Sequence, residues 1–407
     1  MNIFDDLLKL VKDELELKNC LQDLNRDIEY TFKECYDWCF KSNLSYDATI
    51  LFKIDSLCDF LQDELNTGHW SEVPLSIRQA FSGTSYIKAL IILKRPSDPI
   101  NILQDALKCI DLGLLLGAPL KDNQDLLTQC ATMLSKLLSQ SHPKDERLNT
   151  INKRKSYSDH SNNFNSLPGE EICTLECPSL ETFNSKHFVP QIPAKLQGCI
   201  THWPASEKWL NVNYLLKVAG DRTVPVEIGS HYTDESWTQR LMSLKDFIQT
   251  YYLGNSDTVG YLAQHNLFDQ VSELKDDICI PEYCGLSRDY ENSMEPDVNA
   301  WFGPKGTLSP LHFDPKDNLL AQVYGTKQIL LFSPKDSEYL YPHDDKLLFN
   351  TAQVDPTKPD LLKYSNYCKA VPYKCLLETG EMLYIPPKWW HHVIALDNSF
   401  SVSFWWQ

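Results

Sequence analysis

The chain has 407 residues, a formal net charge of −17 and 43% hydrophobic residues. This length exceeds what one ordinary hydrophobic core accommodates, so two domains are expected. The negative charge argues against a surface built to neutralise nucleic-acid phosphates, and it favours a basic protein or peptide as partner.

The cysteine content and the lack of a long apolar segment argue against two further classes of protein, disulfide-rich secreted proteins and membrane-spanning proteins. Thirteen cysteines, an odd number at irregular spacings, do not form the framework of a disulfide-rich secreted protein. The first residues, MNIFDDLLKL, lack the basic segment of a signal peptide, and no apolar run reaches the roughly 18 residues of a membrane span. We therefore expect an intracellular protein with reduced thiols that does not bind membranes.

Two C-x3-C pairs, Cys35/Cys39 and Cys173/Cys177, are candidates for zinc binding. No matched pair of cysteines or histidines follows either of them at the spacing of a zinc site. The sequence favours the simpler interpretation, in which these cysteines are small apolar residues of a core.

Residues 1–140 are predicted to form an all-α helical domain. Apolar residues recur there at the three- and four-residue spacing of a helix face. Two such stripes are Phe4, Leu7, Leu8, Val11 and Leu15, and Leu126, Leu127, Met133, Leu134 and Leu137. Polar turns at 66–68 and 95–99 divide the region into several helices, which predicts a bundle or an irregular stack.

Residues 141–170 are polar, nearly free of large apolar side chains, and predict a flexible linker. Their basic cluster Lys153-Arg154-Lys155 is short for a nuclear-import signal and is more typical of a solvated linker. From residue 171 to 407, short segments rich in Val, Ile, Tyr, Trp and Phe are separated by Gly and Pro. This pattern favours a β sandwich or barrel with helical insertions, one of them at 237–252.

The stretch LHFDP contains His312 and Asp314. Residues two apart in a strand point to the same face, so an imidazole and a carboxylate would be directed at one point. An H-x-D pair is a weak signal by itself, because a second one, His343–Asp345, occurs in a charged, turn-like stretch. Strand patterns on both sides distinguish the first pair.

A third ligand is available in the segment GEMLYIPPKWWHHVIAL, residues 380–396. Two histidines and one carboxylate form the facial triad of non-haem iron(II) oxygenases, and a small barrel directs alternate side chains of its strands into one cavity. If Val393 packs inward, His391 points with it and His392 points away. The candidate metal ligands and catalytic residues are therefore His312, Asp314 and His391.

These motifs resemble those of the JmjC (Jumonji C) domain oxygenases. The resemblance rests on LHFDP (311–315), on 325–332 with Lys327, on IPPKWWHHV (385–393), and on longer blocks such as NAWFGPKGTLSPLH (299–312). It covers about residues 180–407. It implies an α+β multidomain chain, with an N-terminal all-α helical domain and a C-terminal double-stranded β-helix of the cupin or jelly-roll type.

The resemblance implies a dioxygenase that depends on Fe(II) and 2-oxoglutarate and consumes O2. Iron would be held by His312, Asp314 and His391. The residues that would bind 2-oxoglutarate are Tyr261, Ser309, Asn318 and Lys327. Chemistry also supports a role for Lys327 in binding 2-oxoglutarate, because the ammonium of an inward-pointing lysine in a strand needs an anion. Without the three candidate metal ligands, Lys327 would be interpreted as a solvated lysine on an edge strand.

For the substrate, the resemblance leaves two reactions open. We expect hydroxylation of protein arginine side chains at C-3, with histone N-methyl-lysine demethylation as the alternative. The resemblance implies that Glu227 lies where the enzyme would bind the arginine side chain of its substrate. A carboxylate suits this role because it binds a guanidinium bidentately. Gln264 and Trp301 are candidates for the wall that faces the substrate, although Trp301 fits core packing as well.

Two rivals of other classes are a catalytically silent JmjC scaffold and a zinc-bound histone-tail peptidase. The first is disfavoured because all three candidate ligands and Lys327 are present. The second is disfavoured because no general base for a metal-bound water is apparent. The resemblance also implies the nucleus rather than the cytoplasm, and a substrate that is an arginine-containing protein or a histone tail; oligomeric state is left open.

Overall fold

The computed structural model describes residues 3–21, 24–41, 45–68, 72–141, 164–229, 237–254, 256–288 and 295–407. Helices occupy the N-terminal part, and two largely antiparallel sheets occupy the C-terminal part. This arrangement confirms the predicted α+β class. The basic cluster at 153–155 and most of the predicted linker at 141–170 lie outside the described residues, and the predicted domain boundaries stay a prediction.

The helical part contains seven α-helices within the described ranges. They are α1 (Ile3–Leu8), α2 (Glu14–Lys18), α3 (Arg26–Lys41), α4 (Ala48–Leu65), α5 (Leu75–Ile92), α6 (Pro99–Leu116) and α7 (Leu126–Ser141). The predicted breaks at 66–68 and 95–99 are confirmed by the end of α4 and the start of α6. None of the described helices is both long enough and apolar enough to cross a bilayer.

Local chemistry explains where α6 begins. The Asp98 carboxylate accepts hydrogen bonds from the backbone N–H groups of Ile100 and Asn101, at 3.0 and 3.2 Å. Pro99 occupies the first helical position, where a missing N–H costs no intrahelical bond. The N-terminal apolar stripe from Phe4 is divided between two short helices, since α1 ends at Leu8 and α2 begins only at Glu14.

Fourteen strands are found within the described residues. They are β1 (Glu170–Glu171), β2 (Thr174–Glu176), β3 (Ala194–Gln197), β4 (Thr223–Ile228), β5 (Thr238–Ser243), β6 (Gly260–His265), β7 (Asp297–Gly303), β8 (Leu308–Phe313), β9 (Asp317–Tyr324), β10 (Lys327–Phe332), β11 (Pro372–Leu377), β12 (Met382–Ile385), β13 (Trp390–Ala395) and β14 (Ser399–Trp406). Short helical turns at Leu180–Phe183, Ala205–Lys208, Val212–Ala219, Leu244–Phe247, Leu267–Gln270 and Ser272–Lys275 connect them.

The strands form two sheets. One has the order β1-β11-β10-β13-β8, and the other has the order β2-β3-β12-β9-β14-β7-β6-β4-β5. An apolar layer that includes Leu320, Ile329, Leu383 and Val393 takes residues from both sheets and lies between them. Two antiparallel sheets around one apolar interior form the predicted jelly-roll.

Two predictions are wrong in detail. The segment 237–252 is not one helix, because its first part is β5, an edge strand paired with β4, and only the part from Leu244 onward is helical. The expectation of buried cysteines holds for Cys35 and Cys39 but fails for Cys173 and Cys177, which are exposed. The last two flank β2, which lies at the edge of its sheet and has a partner on one side only.

A buried ion pair joins the helical part to the sheets. Asp111 of α6 accepts hydrogen bonds from Arg222 Nε and Nη2 at 2.9 and 2.6 Å and from the Thr223 backbone N–H at 2.7 Å. Gln270 Nε2 donates a further bond to Asp111 Oδ1 at 3.0 Å. The Asp111 and Arg222 side chains are almost fully buried. Because Thr223 opens β4, this carboxylate holds the start of that strand against α6.

Replacing Asp111 by alanine should destabilise the chain by about 3–5 kcal/mol, because it leaves the Arg222 guanidinium buried without its anion. Chemical denaturation of the full-length chain measures the change. The matched control is Lys275→Ala, which removes the exposed pair with Asp269 and should cost less than about 1 kcal/mol. Equal losses in the two variants would contradict a special role for the buried pair.

Candidate functional site

The pairing of β8 with β13 places two histidines side by side. The strands run antiparallel with His391 opposite His312, and the centres of the two imidazole rings are 4.2 Å apart. Asp314 lies one residue beyond the end of β8 rather than on it, and its carbonyl oxygen accepts a 2.7 Å hydrogen bond from the Lys388 backbone N–H. Each of His312, Asp314 and His391 offers one ligand atom, and these three atoms lie within 4.8 Å of one another.

Hydrogen bonds to backbone carbonyls set the tautomers of both imidazoles. His312 Nδ1 lies 2.7 Å from the Pro310 carbonyl oxygen, and His391 Nδ1 lies 3.0 Å from that of Trp389. Since a carbonyl only accepts, each Nδ1 carries the proton and each Nε2 presents a lone pair. Burial and then the nearby His312 lower the pKa of His391 to about 4, so its imidazole is neutral at pH 7.

The third donor is a buried carboxylate oxygen. Asp314 Oδ2 makes no hydrogen bond to any described residue, and it lies 3.6 Å from His391 Nε2. Two imidazole nitrogens and one carboxylate oxygen, all directed at one point, suit a divalent transition metal with open coordination positions. The residues therefore fit an iron ion. Among the described residues no other group of three such side chains converges, so the second pair, His343–Asp345, does not compete.

His391 and His392 differ in what they face. The side chains of His391 and Val393 line the same cavity, whereas His392 does not. A register shift between β8 and β13 falls at this point, but it leaves the alternation of side chains along β13 intact. This geometry agrees with the expectation that His392 points away from the ligand set.

The three side chains open into a small pocket between the two sheets. Its walls bring together all four residues expected to bind 2-oxoglutarate with one of the expected substrate residues. The lining residues are Tyr261, Trp301, Ser309, His312, Asp314, Asn318, Leu320, Lys327, Ile385, His391, Val393, Ser403 and Trp405. Both sheets contribute, so the pocket exists only when they pack together.

Lys327 is a buried cation in this pocket. Its side chain opens β10, is 2% exposed, and donates a 3.3 Å hydrogen bond from Nζ to the Tyr261 hydroxyl. Within the described part of the chain, no carboxylate lies within ion-pair distance of Nζ, and burial lowers the pKa of Lys327 to about 7. A buried ammonium without an anion is unfavourable, so the pocket suits an acidic ligand.

Two further polar atoms in the pocket lack partners. The oxygen Oδ1 of Asn318 and the indole N–H of Trp405 are buried and make no hydrogen bond to described residues. The two residues are neighbours across β9 and β14. Trp405 was not among the predicted site residues. A signal for it is present in the sequence, because Ser401, Ser403 and Trp405 alternate with large apolar residues along β14.

The substrate candidates occupy three different places. Trp301 lines the pocket and donates from Nε1 to Ser403 Oγ at 2.8 Å. Glu227 does not line it but lies on β4 directly opposite Tyr261. Burial raises the pKa of Glu227, and the nearby Trp237 indole opposes that rise.

Gln264 does not join the candidate site. It is exposed and lines a larger cavity between the helices α6 and α7 and the residues that follow β6. Gln264 lies three residues after Tyr261, and alternation along a strand places residues three apart on opposite faces. The register of β6 on β7 is also irregular between Leu262 and His265, where Gln264 has a φ of +46°.

Alanine at His312, Asp314 or His391 should abolish stoichiometric binding of Mn(II), a redox-stable divalent probe, because two remaining donors hold the ion too weakly. The measurement is electron paramagnetic resonance of free Mn(II) in titrations of the full-length chain. His392→Ala is the matched control and should keep the site. Retained binding in any of the three ligand variants, or its loss in the control, would refute the ligand assignment.

Comparisons with known proteins identify the family of the chain. A family model described as a cupin-like domain matches residues 180–407. Lysine-specific demethylase 8 of Danio rerio is 40% identical over 399 residues, which cover 97% of this chain and 94% of that protein. Jumonji C domain-containing protein 5 of Drosophila melanogaster is 39% identical over 88% of this chain and 86% of its own length. Lysine-specific demethylase JMJ30 of Arabidopsis thaliana is 37% identical over 86% and 84%, respectively.

These relatives confirm the resemblance predicted from the motifs. Within the family, the longer sequence blocks resemble the group of proteins named lysine-specific demethylase 8 or Jumonji C domain-containing protein 5, and two of these relatives carry those names. The match extends through the helical part, where the motifs gave little information. The chain therefore belongs to the cupin-like JmjC-domain family of Fe(II)- and 2-oxoglutarate-dependent oxygenases.

Proposed function

We propose that the chain is an oxygenase of basic side chains in proteins or peptides. The observation that carries this proposal is the convergence of His312, Asp314 and His391 beside the buried cation Lys327. These three residues would hold Fe(II), which with 2-oxoglutarate would use O2 to hydroxylate an unactivated C–H bond, with release of succinate and CO2. The net negative charge of the chain agrees with a basic substrate.

Lys327 would bind the far carboxylate of 2-oxoglutarate. Its ammonium has no anion among the described residues, and the Tyr261 hydroxyl that accepts from it can donate to the same carboxylate. Asn318 and Ser309 lie on facing walls of the pocket and would fix the remaining oxygens. Charge-assisted hydrogen bonds of this kind orient a dicarboxylate as well as hold it.

The pocket walls would also keep water from the reacting atoms. Leu320, Ile385 and Val393 continue the apolar layer between the sheets up to the ligand set. Water exclusion protects a reactive centre from side reactions and strengthens the electrostatic interactions inside it.

For the reaction, the names of the relatives support N-methyl-lysine demethylation better than the arginyl hydroxylation expected from the sequence. Demethylation begins with hydroxylation of the N-methyl group and ends with loss of formaldehyde. We therefore propose methyl-lysine, as in a histone tail, as the first candidate substrate. A nuclear location accords with such a substrate and remains a prediction.

Arginyl C-3 hydroxylation is kept as a second candidate because of Glu227. Its carboxylate stands opposite Tyr261 across β4 and β6, next to the pocket wall, and a carboxylate grips a planar guanidinium bidentately. The silent-scaffold and peptidase rivals have less support. The described walls contain no carboxylate besides Asp314, so no separate general base is available to a hydrolase.

Cosubstrate affinity should fall as pH rises above about 7. Burial lowers the pKa of Lys327 to about 7, so the free protein loses the ammonium above that pH, whereas an anionic carboxylate binds the protonated form. Above this pH, the affinity for the cosubstrate should fall by about tenfold for each pH unit. Calorimetry of an oxalyl-glycine mimic in the presence of Mn(II), between pH 6.5 and 8.5, measures it.

The control for that pH dependence is Lys327→Met, which keeps the volume and removes the charge. We expect affinity reduced by roughly tenfold or more and a much flatter pH profile, with Mn(II) binding retained. A wild-type profile as flat as that of the variant would show that Lys327 does not bind the carboxylate.

Mass spectrometry of peptides treated with the iron-loaded enzyme separates the candidate reactions. A methyl-lysine peptide should lose the mass of one methylene group, and an unmethylated arginine peptide should stay unchanged. Gain of one oxygen on the arginine peptide alone would overturn the first candidate in favour of the second. Absence of succinate formation with every peptide would favour the silent scaffold.

Glu227→Gln should raise the KM for a cationic peptide more than about tenfold, because it removes a partly buried negative charge beside the substrate path. Consumption of 2-oxoglutarate without peptide should change much less. Asp246→Asn, at an exposed acid after β5, is the matched control with an unchanged KM. Equal values of KM in the two variants would remove Glu227 from the substrate site.

A further inference from the structure

Outside the pocket, the edge of the larger sheet brings two thiols together. Cys177 follows β2 and Cys199 follows β3 by two residues. The two strands pair in parallel with Glu176 opposite Gln197, so both strands end at the same place. The thiols of Cys177 and Cys199 donate to one acceptor, the Gln197 carbonyl oxygen, at 3.5 and 3.4 Å. The two sulfurs are therefore no farther apart than the sum of those distances.

Gly198, between Gln197 and Cys199, has no side chain to fill the space beside the two sulfurs. Gly198 has a φ of +77°, and a Cβ added to it would lie 2.8 Å from Cys177 Sγ. Cys177 itself has a positive φ of 36°, an uncommon conformation for a residue with a side chain. The backbone thus turns both thiols toward one point, with no side chain of Gly198 between them.

A tyrosine holds the two segments together. The Tyr283 hydroxyl donates to the Pro178 carbonyl oxygen at 2.7 Å and lies 3.7 Å from Cys199 Sγ. Burial raises the pKa of the Cys199 thiol, the Tyr283 hydroxyl opposes that rise, and Cys177 adds to it. This mutual influence is expected only of thiols that are close neighbours.

Accessibility gives the two thiols different roles. Cys177 is exposed and can meet a dissolved oxidant, whereas Cys199 is partly buried behind it. A metal site does not explain the two cysteines. Among the described residues, the only group of three possible metal ligands is the one in the pocket. Oxidation chemistry, which needs only two sulfurs, fits what is present.

We propose that Cys177 and Cys199 form a redox pair that closes to an intramolecular disulfide under hydrogen peroxide. The Cys177 thiol releases its proton, its sulfur attacks one peroxide oxygen, and the O–O bond breaks to leave a sulfenic acid and a hydroxide, which takes up the released proton to form one water. The Cys199 sulfur then attacks the Cys177 sulfur, the S–O bond breaks, and a second water leaves. Two thiols are oxidised by two electrons and one peroxide is reduced to two waters; a dithiol reductant reverses the change.

The disulfide would fasten the edge of the sheet. β3 pairs with β12, and Gln197 Nε2 donates to Glu381 Oε1 at 2.6 Å at the start of that strand. A disulfide between Cys177 and Cys199 would link the edge strand β2 covalently to β3, in addition to the hydrogen bonds between these strands. The modification is independent of the proposed substrate and of the metal ligands.

The test uses the reduced full-length chain treated with graded hydrogen peroxide, followed by alkylation of free thiols, digestion and mass spectrometry. A cross-linked peptide that joins Cys177 to Cys199 should be the most abundant disulfide product and should disappear with dithiothreitol. Cys177→Ser and Cys199→Ser should each lose this product. Cys173→Ser, at an exposed cysteine four residues from Cys177, is the matched control and should keep it.

Circular dichroism of each oxidised sample checks that the fold is intact. If Cys177 pairs with Cys173 instead, or proceeds to sulfinic acid without any cross-link, the proposal is wrong. If a serine variant fails to fold, the assignment rests on the wild-type cross-link, and its absence from folded wild-type protein overturns the proposal on its own.

Discussion

The antiparallel pairing of β8 with β13 is the constraint on which the candidate site depends. It sets His391 opposite His312, and backbone carbonyls close to each ring leave both Nε2 atoms as acceptors. Asp314 enters from just beyond β8. Three neutral or anionic donors in a largely apolar interior would be costly without a cation between them. The sheets therefore build a site that suits a divalent metal.

The same logic extends to the other end of the pocket. Lys327 is buried on β10 without an anion, and its depressed pKa shows how unfavourable its charge is there. At one end the protein holds donors that need a cation, and at the other it holds a cation that needs an anion. A metal and a dicarboxylate between them would satisfy both ends at once. Such a site lowers the stability of the empty protein in exchange for affinity.

Local periodicity in the sequence predicts part of the candidate site. Alternation in LHFDP and in the HHV stretch identified His312 and His391, and the resemblance supplied Lys327 and its neighbours. Two expectations failed. Gln264 was expected at the wall that faces the substrate, but it lies three residues after Tyr261 and lines a different cavity. Cys177 was expected in a core because pattern alone does not show that β2 is an edge strand. Trp405 was overlooked because its role depends on β9, far away in sequence.

The ion pair between Asp111 and Arg222 has a consequence for how the chain can vary. The acid belongs to α6 and the guanidinium to the segment that opens β4. A change of either partner alone leaves the other charge buried without its counter-ion. A chimaera with a foreign helical part would keep this ion pair only if the new α6 carries an acid at the position of Asp111. The helical part and the sheets are thus coupled by this ion pair, although the candidate site lies between the sheets.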